Sequence, residues 1–267
     1  MQIPKIIHQI WYQGYDKLPE KYHPMQQSWK EIHPHWEYYL WDQKKIEQLI
    51  EESYPDVYET YTKLPRMIQK IDFAKYIILH KYGGVYVDMD MKSLKCLDDL
   101  FEKYPDKDLF AAELDIGCTS KWCLSIWVAT ESKYVNGPLY NNAFFACIPE
   151  HKFWKDVINE VSHNRHRKWY QTFTQHLLNS TGPMMITHVL RSKNHDFQSL
   201  PTEMFEPRRR CDFAQAYAIH YFSNSWMSPG MKVITYLYYH PWIIISSVFI
   251  ILITIFTLKA TGHFLNI

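Results

Sequence analysis

Asp88 and Asp90 stand one residue apart in YGGVYVDMDM, residues 82–91, at the end of an apolar run that follows two glycines. If this run is a strand, side-chain alternation sends both carboxylates to one side. Two carboxylates so placed repel each other unless a cation or a proton lies between them. Oxygen ligands of this kind suit Mg2+ or Mn2+, above all where phosphate oxygens complete the shell. The competing reading is a solvated strand end. Other residues with chemical potential lie along the chain: His8, Gln9 and Trp11 near its start, Asp72 with Lys75 and Tyr76, Asn142, Gly182, and His220 followed by Ser225 and Trp226. Each has an ordinary structural alternative. A histidine in an apolar strand can be a satisfied core residue, and Asp72 can pair with Lys75 or Lys70 as surface charge.

The elements that must position these residues alternate. IPKIIHQIW (3–11) reads as a buried strand with proline at its start. Residues 19–36 read as a helix and 37–42 as a second strand. Residues 43–55 form an amphipathic helix with Ile46, Leu49 and Ile50 on one face. The apolar positions Ile68, Ile71, Ala74, Ile78 and Leu79 keep the helical period through 67–84, with Gly83 closing the helix. VYVDMDM then reads as a strand. Strands alternating with helices imply an α/β domain with a largely parallel sheet, and the aspartates fall at a strand's C-terminal end, where such sheets bind ligands. Further on, 109–114 and 142–148 read as strands, 151–164 and 182–192 as helices, and 216–226 as a strand running into a polar loop.

The chain has 267 residues, 47% of them hydrophobic, enough for one large domain. The formal net charge of +1 gives no electrostatic case for nucleic acid. Five cysteines without a CxxC pair exclude a zinc framework and a disulfide-rich module, although Cys118 and Cys123 could bridge in an oxidising lumen. Aromatic residues are 16% of the chain; such rings line sugar and nucleotide sites as well as cores. Trp242–Leu258 carries no charge and follows Tyr236, Tyr238 and Tyr239, so a single-pass membrane helix is expected there. The simplest division is a globular domain over 1–235 and an anchor over 236–267. No signal peptide is read at the start. Asn179-Ser180-Thr181 is a glycosylation sequon.

YGGVYVDMDM after DFAKYIILHK resembles the nucleotide-sugar motif of the glycosyltransferases with a D-x-D sugar-binding region, the group of initiating mannosyltransferases and inositol-phosphoceramide mannosyltransferases. IPKIIHQIW is similar to that family's opening strand. Asp72-x-x-Lys75-Tyr76 stands where it usually has Asp-x-x-Arg-Tyr. NNAFFACIPEHKFW, STGPMMIT and YAIHYFSNSW resemble its later motifs, in order. The resemblance implies a GT-A fold, with a Rossmann-like nucleotide-binding half and an acceptor half. It also implies retaining transfer of a sugar from a nucleotide diphosphate sugar, GDP-mannose or else a UDP-sugar, to a lipid or glycan acceptor such as inositol phosphoceramide. It implies a divalent metal, Mn2+ or Mg2+, at Asp88, Asp90 and His220, and catalytic roles for Asp72, Asp88 and Asp90. Donor contacts fall to His8, Gln9, Trp11, Asp72, Lys75, Tyr76, Gly84, Asp88, Asn142, Gly182, Ser225 and Trp226. An internal membrane of the Golgi or endoplasmic reticulum is the implied location. Two departures stand out. Lysine is a point charge where arginine offers a planar fork, and SNSW lacks the glycine often found before Ser-Trp. The alternatives are a UDP-sugar transferase acting on glycan or protein, and a nucleotide-sugar-binding membrane protein without catalysis.

Overall fold

The structure is a computed structural model. It describes residues 2–114, 137–207, 213–223, 227, 230, 232–233, 236–237 and 241–260. The chain divides into two units, Met1–Tyr221 and Phe222–Ile267.

The first unit is a three-layer α/β/α structure. Its six-stranded sheet has the order β2-β1-β3-β6-β5-β7. These strands are β1 (Ile6–Ile10), β2 (Glu37–Trp41), β3 (Gly84–Val87), β5 (Leu109–Glu113), β6 (Tyr140–Cys147) and β7 (Gln198–Leu200). Strands β4 (Met91–Ser93) and β8 (Ala218–His220) form a separate antiparallel pair. Alternation along the central strands feeds two cores. Tyr86, Phe145 and Cys147 join one, while Val85, Val87, Phe144 and Ala146 join the other.

Helices α2 (Gln43–Ser53), α4 (Met67–Tyr82), α6 (Lys152–Asn164) and α8 (Pro183–Ser192) fill the first core. Helix α2 starts where Asp42 accepts a hydrogen bond from the Lys45 amide at 2.9 Å, and it buries Ile46, Leu49 and Ile50. In α4 every side chain from Asp72 to Leu79 is buried, as expected of a helix enclosed on all sides. Helices α1 (His23–Ile32), α5 (Asp98–Lys103) and α9 (Thr202–Phe205) supply Trp29, Leu100, Met204 and Phe205 to the second core. Two further helices are α3 (Pro55–Lys63) and α7 (Phe173–Ser180).

Several expectations change. The sheet is mixed rather than largely parallel: β1 pairs parallel with β2 and β3, but β6 runs antiparallel to both β3 and β5. Pro55 does not merely end α2. It opens α3, where a first-turn proline lacks an N–H the helix does not need. The chain from Val85 to Met91 is not one strand: β3 ends at Val87, a turn closes with Met91 N donating to Asp88 O at 3.1 Å, and β4 begins. Of the strand running into a polar loop expected over 216–226, the described residues show strand at Ala218–His220. Gly83 and Gly84 have positive φ, +62° and +81°, because other backbone presses on them. A Cβ on Gly84 would lie 2.7 Å from Ile6 O, and one on Gly83 would lie 2.5 Å from Pro149 N. These glycines let neighbouring chain approach, where the sequence suggested approach by a ligand.

In the second unit, Pro241–Ala260 forms helix α10. Among the described residues no helix is long and apolar enough to cross a membrane. The span expected at Trp242–Leu258 is therefore unsupported. Side chains including Ile245, Phe249 and Phe256 are exposed.

Candidate active site

The turn after β3 carries both aspartates. Its backbone is held from two sides: Asp88 N donates to Ala143 O at 2.9 Å, and Gln9 Nε2 donates to Asp88 O at 3.2 Å. Tyr38 fixes the Gln9 amide by donating to its Oε1 at 2.6 Å. Asp88 Oδ1 accepts from Tyr86 Oη at 2.7 Å and from Lys75 Nζ at 3.3 Å. Lys75 is 2% exposed, and its ammonium also meets Asp72 Oδ1 at 3.1 Å and Asn142 O at 3.0 Å. Burial would lower the Lys75 ammonium, but Asp88 and Asp72 outweigh it and raise it above its ordinary value. Burial raises the Asp72 carboxyl to about 6 while Lys75 pulls the other way. Burial lifts the Tyr86 phenol well above its usual range, which keeps its proton on and its hydrogen bond to Asp88 intact.

Asp90 enters the same space from the far side of the turn. The β4–β8 pairing sets Met91 opposite His220, and Tyr221 N donates to Asp90 O at 3.0 Å. His220 Nε2 then lies 3.4 Å from Asp90 Oδ1. Its Nδ1 lies 3.2 Å from Glu206 Oε1, and Asn141 Nδ2 donates to the same oxygen at 3.0 Å. Burial would depress the imidazole, but Asp90 and Glu206 prevail and raise it to about 10. One ligand atom from each of Asp88, Asp90 and His220 lies within 4.8 Å of the others. Two carboxylates and an imidazole match the donors of a Mn2+ or Mg2+ site whose remaining positions phosphate oxygens or water fill. Oδ1 of Asp88 is engaged by Lys75 and Tyr86, so its Oδ2 is the more open to a ligand.

Residues 19–107 match the family described as glycosyltransferase sugar-binding region containing DXD motif. Asp88-Met89-Asp90 lies inside that match. Over that third of its length this chain is similar to the DXD glycosyltransferases. Over 239 residues it is 26% identical to inositol phosphoceramide mannosyltransferase 1 of Schizosaccharomyces pombe, covering 87% of this chain and 65% of that protein. Over 103 residues it is 40% identical to inositol phosphoceramide mannosyltransferase 3 of the same yeast, covering 39% of this chain and 28% of that one. The chain thus spans less than two thirds of these relatives. The UDP-bound glycosyltransferase domain from the YGT toxin shares the fold, with a TM-score of 0.53 at 8% identity over 85% of this chain and 82% of that one. The architecture is an α/β glycosyltransferase fold of GT-A type with a mixed sheet.

Around the DXD turn the structure divides the expected site residues into groups. Asp88, Asp90 and His220 converge, and Asp72, Lys75 and Asn142 stand directly behind Asp88. Both Asp72 oxygens are engaged within the protein: Oδ1 accepts from Asn142 Nδ2 at 3.0 Å and Oδ2 from Thr181 Oγ1 at 3.1 Å. That places Asp72 as a support for Lys75. Tyr76 is buried against Trp154 and donates to Thr181 O. Gly182 precedes α8, and a Cβ there would lie 2.9 Å from Leu178 Cα. His8 is 1% exposed; its Nδ1 accepts from Trp41 Nε1 at 3.2 Å, so Nε2 carries the proton and donates to Gly83 O at 3.1 Å. Burial lowers this imidazole to about 4. Trp11 packs on Tyr22 and donates to Lys17 O at 3.0 Å. Ser225 and Trp226 lie outside the described residues, as do Cys118 and Cys123. The sequon threonine, Thr181, is fully buried on Asp72.

Sequence reasoning missed three contributors. Tyr86 was legible, since alternation puts it two residues before Asp88. Glu206 and Asn141 were not, because nothing local ties an acid after a short helix to a histidine 14 residues on.

Proposed function

We propose that the protein is a metal-dependent retaining glycosyltransferase that moves a sugar, mannose from GDP-mannose, to a lipid acceptor of the inositol-phosphoceramide type at a membrane surface. The observation that carries this reading is the convergence of Asp88, Asp90 and His220 inside a DXD region. The names of the yeast relatives support the sugar and the acceptor class. As the glycosidic bond breaks, negative charge grows on the leaving diphosphate. A divalent cation at Asp90, His220 and Asp88 would supply the opposing charge. The chain's own work is to keep that donor set rigid. Lys75 and Tyr86 hold Asp88, Gln9 holds its backbone, and Glu206 orients His220. The exposed apolar side chains of α10 support placement at a membrane.

The test is donor hydrolysis by purified protein with Mn2+, comparing GDP-mannose, UDP-glucose, UDP-galactose and UDP-GlcNAc, with Asp90→Ala beside the wild type. Hydrolysis of GDP-mannose alone, dependent on metal and on Asp90, is expected. Turnover of a UDP-sugar instead would overturn the donor assignment and favour a UDP-sugar transferase.

A further inference from the structure

From Val161 to His195 the chain holds no aspartate or glutamate, but it holds Arg165, Arg167, Lys168, Arg191 and Lys193. That is a pronounced local excess in a protein whose net charge is +1. Within this stretch, His166, Arg167, Lys168, Trp169 and Tyr170 are exposed in succession, and Trp169 is 93% exposed. An indole left in water is costly when its large apolar face has nothing to cover it.

The loop is a built feature. Gln171 N donates to Lys168 O at 3.0 Å, and Lys168 N donates to Gln171 Oε1 at 3.1 Å. Thr172 and Gln175 then form a reciprocal cap that opens α7. Arg165 donates to Thr60 Oγ1 at 3.3 Å, and the Arg66 guanidinium sits 3.6 Å over the Phe173 ring. These contacts fix the loop against α3 and the start of α4, where Arg66 and Met67 are also exposed. Glu59, which faces Arg165, is paired with Lys63. Five residues beyond Met67 along α4, about 7 Å of helix rise, comes Asp72 at the candidate site.

We infer that the Arg167-Lys168-Trp169-Tyr170 loop, with Arg66 and Met67, is a seat for the surface of a bilayer bearing anionic lipid. Tryptophan and tyrosine favour the headgroup level, where the ring meets hydrocarbon and the polar edge meets water. Arginine and lysine beside them add attraction to anionic headgroups that falls with salt. A seated loop sets the start of α4 at the lipid surface, with the DXD turn behind it. The inference does not depend on the donor or the acceptor, because the seat acts before any turnover.

The experiment is flotation of the full chain with vesicles of phosphatidylcholine alone and of phosphatidylcholine with phosphatidylserine, at low and high salt. The wild type is compared with Arg167→Glu/Lys168→Glu and with Trp169→Phe. Anionic lipid is expected to raise wild-type partitioning at least tenfold at low salt, with the gain lost at high salt. The double variant is expected to lose most of that gain, at about fivefold per cation, while binding neutral vesicles as the wild type does through other surfaces. Brominated lipid is expected to quench the wild type more than Trp169→Phe. Equal partitioning of the double variant and the wild type on anionic vesicles would overturn the inference. So would equal quenching, or competition by inorganic phosphate that removes the vesicle effect at constant ionic strength. Unchanged melting of the variants confirms that the loop alone was altered, and donor hydrolysis in detergent reports on the active-site reading separately.

Discussion

Glu206 Oε1 lies 3.2 Å from His220 Nδ1, while Nε2 of the same ring faces Asp90. A carboxylate behind an imidazole fixes which nitrogen carries the proton and turns the other toward a ligand. Glu206→Ala is expected to weaken Mn2+ binding about 10- to 100-fold, whereas Glu206→Gln, whose amide oxygen can still accept from Nδ1, retains most of it. Isothermal titration with Mn2+ measures both. His220 is raised to about 10, so binding at pH 7.5 is also expected to release about one proton, seen as a dependence of the heat on buffer. Equal affinity of the alanine variant and wild type would remove Glu206 from this role.

Lys75 is the one buried cation between Asp72 and Asp88 among the described residues. Its removal in Lys75→Met leaves the buried Asp72 carboxylate without its cation, beside a partly exposed Asp88. The expected cost is about 3–5 kcal/mol of stability, read as a lowered midpoint in urea. Asp72→Asn combined with Lys75→Met is expected to recover part of that loss, since one buried charge leaves with its partner. Additive losses would show that the two residues do not act as a pair.

Gly84 and Gly14 both have positive φ, but their surroundings differ. A Cβ on Gly84 meets Ile6 O at 2.7 Å, and one on Gly14 meets nothing within 4 Å. Gly14→Ala is expected to cost about 1 kcal/mol from backbone conformation alone. Gly84→Ala adds separation of β1 from β3 and is expected to cost at least about 3 kcal/mol. Thermal melts of the two variants make the comparison.

His8 gives a pH dependence with a definite sign. Its pKa in the folded protein, about 4, lies below the ordinary value of 6.5. Between these values the unfolded chain binds a proton that the folded chain does not, so stability falls as pH drops from about 6.5 toward 4. The full effect is at most about 3 kcal/mol. The imidazole resonances of His8 are expected to titrate near 4; titration near 6.5 would show that the ring is not enclosed.

Much of the first half was readable. Helices α2 and α4 are legible from apolar spacing, and α4 also from its stop at Gly83, because helix packing needs a periodic face. The DXD pair, Asp72 and His220 were readable as residue types. Their working relations were not. Strand alternation alone would align Asp88 and Asp90 on one side. They in fact meet across a turn, because β3 ends at Val87 and β4 must turn away to pair with β8. The roles of His8 and Gly84 also changed, since both answer to the closeness of β1 and β3.

The sequence by itself determined the periodic elements, the α/β class and the presence of a DXD pair after two glycines, because these follow from local spacing and burial preference. Only the tertiary structure decided that β6 enters antiparallel beside β3, that Asp72 supports Lys75, and that His220 is set between Asp90 and Glu206. Those relations join residues far apart in the chain, and their geometry is fixed by strand pairing and by the need of each buried charge for a partner.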